Sequence, residues 1–154
     1  MELVEAELRG RFAAARVARL ATVGETGRPH LVPITFALVG DVVVTAVDHK
    51  PKTTTDLVRL RNVRATGRVS MLVDDYDDAD WSRLWWVRLD GSARVIERAG
   101  ECGSALEWLA AKYRQYRDDP PTGPVVWIDV DTVRGWTHTP EAVRRRGARP
   151  RPRR

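Results

Sequence analysis

Residues 17–47 read VARLATVGETGRPHLVPITFALVGDVVVTAV, and this stretch decides the fold. Three runs rich in β-branched residues, VARLATV, PHLVPITFAL and VVVTAV, are separated by the turn GETGR and by the dipeptide Gly40-Asp41. A Gly-Asp pair between such runs is typical of a tight hairpin turn. The segment therefore predicts three consecutive antiparallel strands. Alternation in the middle strand puts five residues on one face: His30, Val32, Ile34, Phe36 and Leu38.

Helical periodicity appears in three other places. Residues 2–16 repeat apolar side chains at helical spacing and predict an amphipathic first helix. A short second helix carries Leu57, Leu60 and Val63; the threonines before it and Asp56 are its N-cap candidates, and Gly67 ends it. A third helix covers residues 101–117 and stops before the Pro120-Pro121 pair.

The remaining runs predict further short strands. RVSMLVDDY forms one strand, LWWVRLDG and SARVIER form a hairpin across Asp90-Gly91, and PVVWIDVDTV and RGWTH form a last pair. Strands in hairpin succession, with helices only between and beside them, favour a mainly β protein: a small antiparallel β-barrel with flanking helices.

The amino-acid composition limits which classes of protein the chain can belong to. The 154 residues are 43% hydrophobic and 31% charged, which is typical of one soluble globular domain. No apolar run approaches the ~20 residues of a membrane span. The acidic, amphipathic N-terminus is unlike a secretory signal, and Cys102 has no other cysteine to pair with. We therefore expect a cytoplasmic protein.

The basic charge is concentrated at the C-terminus. Residues 139–154 hold seven arginines and one glutamate, so seven positive charges less one negative give this segment a net charge of +6. This exceeds the net charge of +5 for the whole chain. Residues 1–138 are thus close to neutral and form the expected folded domain, whereas residues 139–154 are expected to be a disordered Arg-rich tail. A nucleic-acid partner that binds this tail is a third-ranked alternative, because no aromatic stacking platform accompanies it.

Conventional catalytic signatures are absent from the sequence. Three scattered histidines and one cysteine make no zinc motif, and neither a Gly-x-Ser-x-Gly elbow nor a Walker-type loop occurs. A hydrolase is therefore disfavoured. The acidic run of residues 74–80 lacks the spacing of a calcium loop, so a solvated loop is the preferred interpretation and a divalent-cation site the alternative.

The segment HKPKTTTDLVRLRN gathers cations and hydroxyls between a strand and a helix. Free N–H groups at a helix start attract anions, and the basic and hydroxyl side chains suit a phosphate. The alternative is a solvated basic loop. The candidate ligands are Lys50, Lys52, Thr53, Thr54 and Arg59, with Arg61 close behind.

Tryptophans are clustered at Trp81, Trp85 and Trp86. Because Trp85 and Trp86 are adjacent in a strand, they point to opposite faces, so one enters the core and the other lines a groove or a subunit interface. Arg88 shares the face of Trp86 and could pair with an anion there; an exposed strand arginine is the alternative.

With these residues placed, the sequence resembles the pyridoxamine 5′-phosphate oxidase-like superfamily of FMN-binding split β-barrels. It is most similar to the branch of probable coenzyme F420-dependent (deazaflavin-dependent) enzymes. The similar segments are RLATVGETGRPHLVPITF, VVVTAVDHKPKTTTDLVRLRNV, RVSMLVDDYDDADWSRLWWVRLDGSARV and VWIDVDTVRGW, spanning about residues 17–137. The resemblance implies a homodimer with two cofactor sites at the subunit interface.

The resemblance also implies positions for the cofactor. Pro33, Ile34 and Thr35 match the strand that borders the deazaflavin ring, the segment from Thr45 to Lys52 matches the element that holds the phosphate, and Trp86 and Arg88 match the strand that faces the cofactor from the dimer interface. Where flavin-binding relatives show a serine-arginine-lysine run, residues 49–52 here read HKPK in a longer loop.

The function implied is hydride transfer between reduced F420 and an unidentified organic substrate, with FMN as the alternative cofactor. Such chemistry needs binding and positioning more than protein acids or bases, because the reactive carbon belongs to the cofactor. A non-catalytic F420 carrier is the alternative from another class. No metal and no membrane partner are expected, and no catalytic side chain is assigned.

Overall fold

The structure is a computed structural model that describes residues 2–47 and 57–138. In these ranges the fold is mainly β, with helices at its flanks. The helices are α1 Glu2–Ala14, α2 Val58–Thr66, α3 Gly103–Lys112 and α4 Arg114–Asp118. The strands are β1 Ala18–Val23, β2 Pro29–Ile34, β3 Ala37–Val39, β4 Val42–Ala46, β5 Arg68–Asp75, β6 Trp85–Ile96 and β7 Val125–Thr137. Single 3-10 turns lie at Trp81–Arg83 and Ala99–Glu101.

All seven described strands form one antiparallel sheet in the order β2-β1-β5-β6-β7-β4-β3. The outermost strands β2 and β3 are consecutive in the chain, and only Thr35 and Phe36 separate them. Seven flat strands would put these edges roughly 29 Å apart, whereas the link reaches at most about 11 Å. The sheet therefore curls into the half of a split β-barrel, as the sequence predicted.

The predicted single strand over residues 29–38 is wrong, because the chain breaks its pairing at Thr35 and Phe36. Two backbone groups of this crossing are hydrogen bonded to side chains. The Thr45 hydroxyl donates to the carbonyl oxygen of Thr35 at 2.7 Å, and the Phe36 N–H donates to the Tyr113 hydroxyl at 3.1 Å. The change of edge thus leaves the Thr35 carbonyl and the Phe36 N–H with hydrogen-bond partners.

The predicted hairpin across Asp90-Gly91 is also wrong, since β6 runs unbroken through this dipeptide. The pairing of β6 with β7 shifts in register between Asp90 and Gly91, which marks a β-bulge. A Cβ at Gly91 would collide with the backbone of Asp129, so glycine is required by close approach rather than by a turn. Likewise β7 is one strand, not the predicted pair.

The helices follow the predictions at their centres and differ at their ends. The first helix is confirmed, and Gly67 ends α2 with a φ of 67°. The predicted N-cap of α2 is wrong: Leu57 occupies the cap and makes no side-chain hydrogen bond there. The predicted helix over residues 101–117 is divided at Tyr113, whose backbone is extended between α3 and α4.

The core lies on the inner face of the curled sheet, where α1 and α2 pack. Its largest fully buried side chains include Phe12, Leu20, Phe36, Leu60, Met71 and Leu89. A second cluster forms where α3 packs against β3 and β4, and includes Ala37, Val44 and Leu109. The expected tail, residues 139–154, lies outside the described residues. No helix within the described ranges has the length and apolar character needed to cross a bilayer.

Candidate functional site

The predicted residues Pro33 and Arg88 lie in one row on the outward face of the sheet. Pro33 on β2 is opposite Arg19 on β1, Arg19 is opposite Leu72 on β5, and Leu72 is opposite Arg88 on β6. With strands about 4.8 Å apart, three strand spacings separate Pro33 from Arg88 by roughly 14 Å. The chain thus presents both predicted cofactor-facing strands on the same surface.

This outward face holds a cavity of about 560 Å³, which we call the outer-face cavity. Its apolar part is formed by Leu31, Leu72 and Trp86, whose exposed fractions are 65%, 39% and 36%. Arg19 and Arg88 supply two positive charges, and Asp74 supplies one negative charge. An apolar surface bordered by cations can receive a planar ring that carries anionic groups. The complete lining is Arg19, Ala21, Leu31, Ser70, Met71, Leu72, Asp74, Trp86 and Arg88.

Arg88 is held in place by Asp90 on the same strand. Its Nε donates to Asp90 Oδ2 at 3.0 Å, and the carboxylate also accepts hydrogen bonds from Ser70 and Thr132. Partial burial opposes ionisation of Asp90, but the hydrogen bonds from Ser70, Arg88 and Thr132 outweigh it and lower its pKa. The carboxylate therefore stays charged and orients the guanidinium, whose other N–H groups remain able to bind an anion.

The two adjacent tryptophans occupy opposite faces, as predicted. Trp85 is partly buried and packs against the core, with the Arg11 guanidinium 5.3 Å from its ring. Trp86 is directly opposite Asp74 and Trp136 on the outward face. The sequence left open which tryptophan enters the core, and the structure assigns that position to Trp85.

The acidic run begins within β5, which ends at Asp75, and the rest of it forms a loop stabilised by its own side chains. Asp80 caps the 3-10 turn through Ser82, and hydrogen bonds from the Ser82 side chain and backbone lower the pKa of Asp80. Asp77 pairs with Arg83 at 3.5 Å. Across residues 2–47 and 57–138, no group of three or more histidine, cysteine or acidic side chains is placed to hold a metal ion.

Three predicted residues meet at the crossing between β2 and β3. The side chain of Ile34 is buried in the core, so this residue could contact a ligand only through its backbone. Thr45 is buried, and its hydroxyl donates a hydrogen bond to the carbonyl oxygen of Thr35. The hydroxyl of Thr35 shares a 2.7 Å hydrogen bond with the hydroxyl of Tyr116.

Sequence reasoning missed Tyr116 as a neighbour of this site. Its helical spacing with Leu106, Leu109 and Tyr113 was sufficient to assign it to packing, and Tyr116 is indeed buried. No local pattern relates residue 116 to residue 35. Only the folded chain brings α4 to the crossing.

The predicted phosphate ligands Lys50, Lys52, Thr53 and Thr54 lie outside the described residues. Arg59 is described: it lies in the first turn of α2, two residues after the described chain resumes at Leu57, and it is partly exposed. The structure therefore places Arg59 directly after the predicted loop.

Comparisons with known proteins agree with this fold. The family model described as pyridoxamine 5′-phosphate oxidase matches residues 4–137. The search of curated proteins returns no match to this sequence.

Solved structures with a similar fold come from several bacteria. A conserved hypothetical protein from Mycobacterium tuberculosis is 22% identical, with a TM-score of 0.64 over 96% of this chain and 90% of that one. A FAD-binding protein from Mesorhizobium loti is 20% identical, with a TM-score of 0.62 over 88% and 93%. HutZ, the heme storage protein from Vibrio cholerae, is 16% identical, with a TM-score of 0.62 over 88% and 93%. At these identities the similarity shows the fold alone.

Proposed function

Because this chain belongs to the pyridoxamine 5′-phosphate oxidase family, we propose that it is a homodimeric oxidoreductase that binds the deazaflavin F420 and transfers hydride between reduced F420 and an organic substrate. FMN is the alternative cofactor. The family match and the FAD-binding protein from Mesorhizobium loti support a flavin-type cofactor. The preference for F420 rests on the segments HKPKTTTDLVRLRN and DWSRLWWVR.

The observation that carries this proposal is the row from Pro33 to Arg88 on the outward face. By the family resemblance, Pro33 belongs to the strand that borders the deazaflavin ring. Arg88 belongs to the strand that faces the cofactor from the dimer interface. A two-fold axis that packs two outward faces together would bring Pro33 of one protomer towards Arg88 of the partner subunit. Each dimer would then contain two equivalent sites.

The apolar character of this face supports the dimer. Leu31, Leu72, Trp86 and Trp136 are large side chains that remain exposed in one protomer. Large exposed apolar patches rimmed by charge typically mark interaction surfaces. Packing two such faces would bury the tryptophans and would exclude water from the cofactor.

The residues of the outer-face cavity fit the proposed cofactor. Trp86 and Leu72 offer an apolar wall for a planar ring, and Arg88, oriented by Asp90, offers donors for an anionic group. When bound, the deazaflavin supplies the hydride and the carbon that carries it. The chain contributes binding, orientation and exclusion of water, which explains why no conventional catalytic cluster is needed.

Equilibrium titration of the purified chain with F420 and with FMN tests the choice of cofactor. We expect F420 to bind more tightly, and its affinity to fall more steeply with added salt because of its glutamate groups. Tighter binding of FMN by tenfold or more would contradict the proposal. Oxidation of reduced F420 by a panel of organic acceptors then separates an enzyme from a carrier.

Two variants locate the cofactor. Trp86→Ala is expected to weaken F420 binding by about tenfold or more, whereas Trp81→Ala, at an exposed position on the 3-10 turn, is the matched control and should change it less than about twofold. Lys52→Ala tests the loop directly, with an expected loss of roughly tenfold. Unchanged affinity in both Trp86→Ala and Lys52→Ala would place the cofactor elsewhere.

A further inference from the structure

A second cavity, of about 410 Å³, opens beside the crossing between β2 and β3. We call it the crossing cavity. The start of β1, the crossing and the α3–α4 junction contribute its walls. It is lined by Arg16, Val17, Thr35, Tyr113, Gln115 and Tyr116. Thr35 is two residues beyond Pro33, so the crossing cavity adjoins the strand assigned to the cofactor ring.

Arg16 is the cation of this cavity; it is exposed to solvent and is oriented by two contacts. Its guanidinium lies 4.6 Å from the centroid of the Tyr113 ring and donates to the carbonyl oxygen of Lys112 at 3.1 Å. The Tyr113 hydroxyl in turn donates to the carbonyl oxygen of Arg16 at 2.8 Å. A guanidinium has five N–H donors, and one is used here, so the group can still bind a carboxylate through two parallel hydrogen bonds.

In the described part of the chain, the positive charge around Arg16 has no acidic counterpart. The Lys112 ammonium donates to the carbonyl oxygen of Ala15 at 2.6 Å and lies 3.7 Å from the centroid of the Phe36 ring, so its partners are neutral. Among residues 2–47 and 57–138, neither Arg16 nor Lys112 forms an ion pair with a carboxylate. Two neighbouring cations without a counter-ion favour an anionic ligand.

The inner wall of the cavity is aromatic and carries hydroxyl groups. Tyr113 and Tyr116 meet edge to face with centroids 5.6 Å apart. Both are more than nine-tenths buried, at 6% and 8% exposure, and their positions are fixed by hydrogen bonds to the crossing. Rigid aromatic walls favour a planar ligand, and the Thr35 hydroxyl, which Tyr116 positions, can form a further hydrogen bond to a polar group on it.

From this arrangement we propose that the crossing cavity binds a planar organic carboxylate, whose carboxylate is bound by Arg16 and whose remaining plane packs against Val17 and Tyr116. This inference deepens the proposed function, on which it rests for the identification of the ligand as the substrate. Binding of the carboxylate itself is independent of the cofactor. Arg16 and Tyr116 are then the residues that determine specificity.

The test uses trans-cinnamate as the probe and the full-length, cofactor-free chain, with calorimetric titration as the measurement. We expect saturable binding of cinnamate and binding of the neutral cinnamamide that is weaker by about tenfold or more, because the amide lacks the charge. Arg16→Gln should weaken cinnamate binding by about tenfold or more, and Arg16→Lys should recover part of the lost affinity. Tyr116→Phe, which removes the hydroxyl that positions Thr35, should weaken cinnamate binding by roughly threefold.

Arg114→Gln is the matched control, because this arginine is two residues from Tyr116 but its side chain is 83% exposed. It should leave the affinity within about twofold. Absence of saturable cinnamate binding, equal binding of cinnamamide, or equal effects of Arg16→Gln and Arg114→Gln would overturn the inference. F420 titration of the same samples separates the two proposals: cinnamate binding without F420 binding rejects only the proposed cofactor, and the reverse result rejects only the crossing cavity.

Discussion

The Thr45 hydroxyl donates a 2.7 Å hydrogen bond to the carbonyl oxygen of Thr35, and so connects β4 to the point where the chain crosses between the two edges of the sheet. Thr45 is buried, so Thr45→Val retains its shape but leaves this carbonyl without that donor. We expect a loss of about 1–2 kcal/mol in the free energy of unfolding. Urea denaturation measures it, and Thr45→Ser, which keeps the hydroxyl, should lose less than Thr45→Val.

The bulge at Gly91 predicts that replacement by alanine changes the stability of the protein in opposite directions at Gly91 and at Gly10. Gly91→Ala should destabilise the protein by about 2 kcal/mol or more, because its Cβ would meet the backbone of Asp129. Gly10→Ala is the control: Gly10 is in α1, with nothing within 4 Å of an added Cβ, and alanine should stabilise this helix by up to ~1 kcal/mol. Thermal unfolding of both variants checks the pair. Equal effects would contradict the bulge geometry.

The lowered pKa of Lys112 predicts that the free energy of unfolding increases in mildly alkaline solution. Burial, with a smaller contribution from the charge of Arg16, lowers its pKa to about 8 in the folded protein. Between pH 8 and 10 the unfolded chain therefore binds more protons than the native state, so the free energy of unfolding rises with pH. Above pH 10 Tyr113, whose pKa is raised by burial, acts in the opposite direction.

Urea denaturation at pH 8, 9 and 10 measures this rise, and Lys112→Met should reduce it. A pH dependence in Lys112→Met as steep as in the parent would assign the effect to another group.

If the proposed dimer forms through the outward face, one charged substitution on that face should dissociate it. Trp86→Glu would place a carboxylate opposite Asp74 and should weaken association by roughly thirtyfold or more. Trp81→Glu also adds one negative charge at an exposed tryptophan, but it should leave the dimer intact. Sedimentation velocity at micromolar concentration distinguishes the two variants. A parent chain that is monomeric with cofactor bound would refute the dimer.

The sequence predicted the fold class because hydrophobic periodicity reports which side of a strand is buried. It identified Trp86 and Arg88 as sharing a face, and that result depends only on alternation within β6. It failed at Asp90-Gly91, because a glycine needed for close approach to a neighbouring strand has the same local pattern as a glycine in a turn. Which of the two applies depends on Asp129, some forty residues later.

The break at Thr35 and the contact of Thr35 with Tyr116 have the same explanation. By sequence, residues 29–38 continue one alternating pattern, whereas the structure buries both Phe36 and Ala37, which join different core clusters as the chain changes edges. Nothing local shows that the pairing partner changes from β1 to β4. Tyr116 is eighty-one residues from Thr35, so their hydrogen bond depends on the packing of α4 and not on any local pattern.

The two outermost strands offer little to another chain that would pair with them. β2 includes Pro29 and Pro33, which have no backbone N–H, and β3 is only three residues long. Neither edge presents a long row of donors and acceptors, and the peptide link between Ile34 and Ala37 holds the edges near each other. Strand addition and fibril growth are therefore disfavoured, which is consistent with the proposed dimer through the broad face of the sheet.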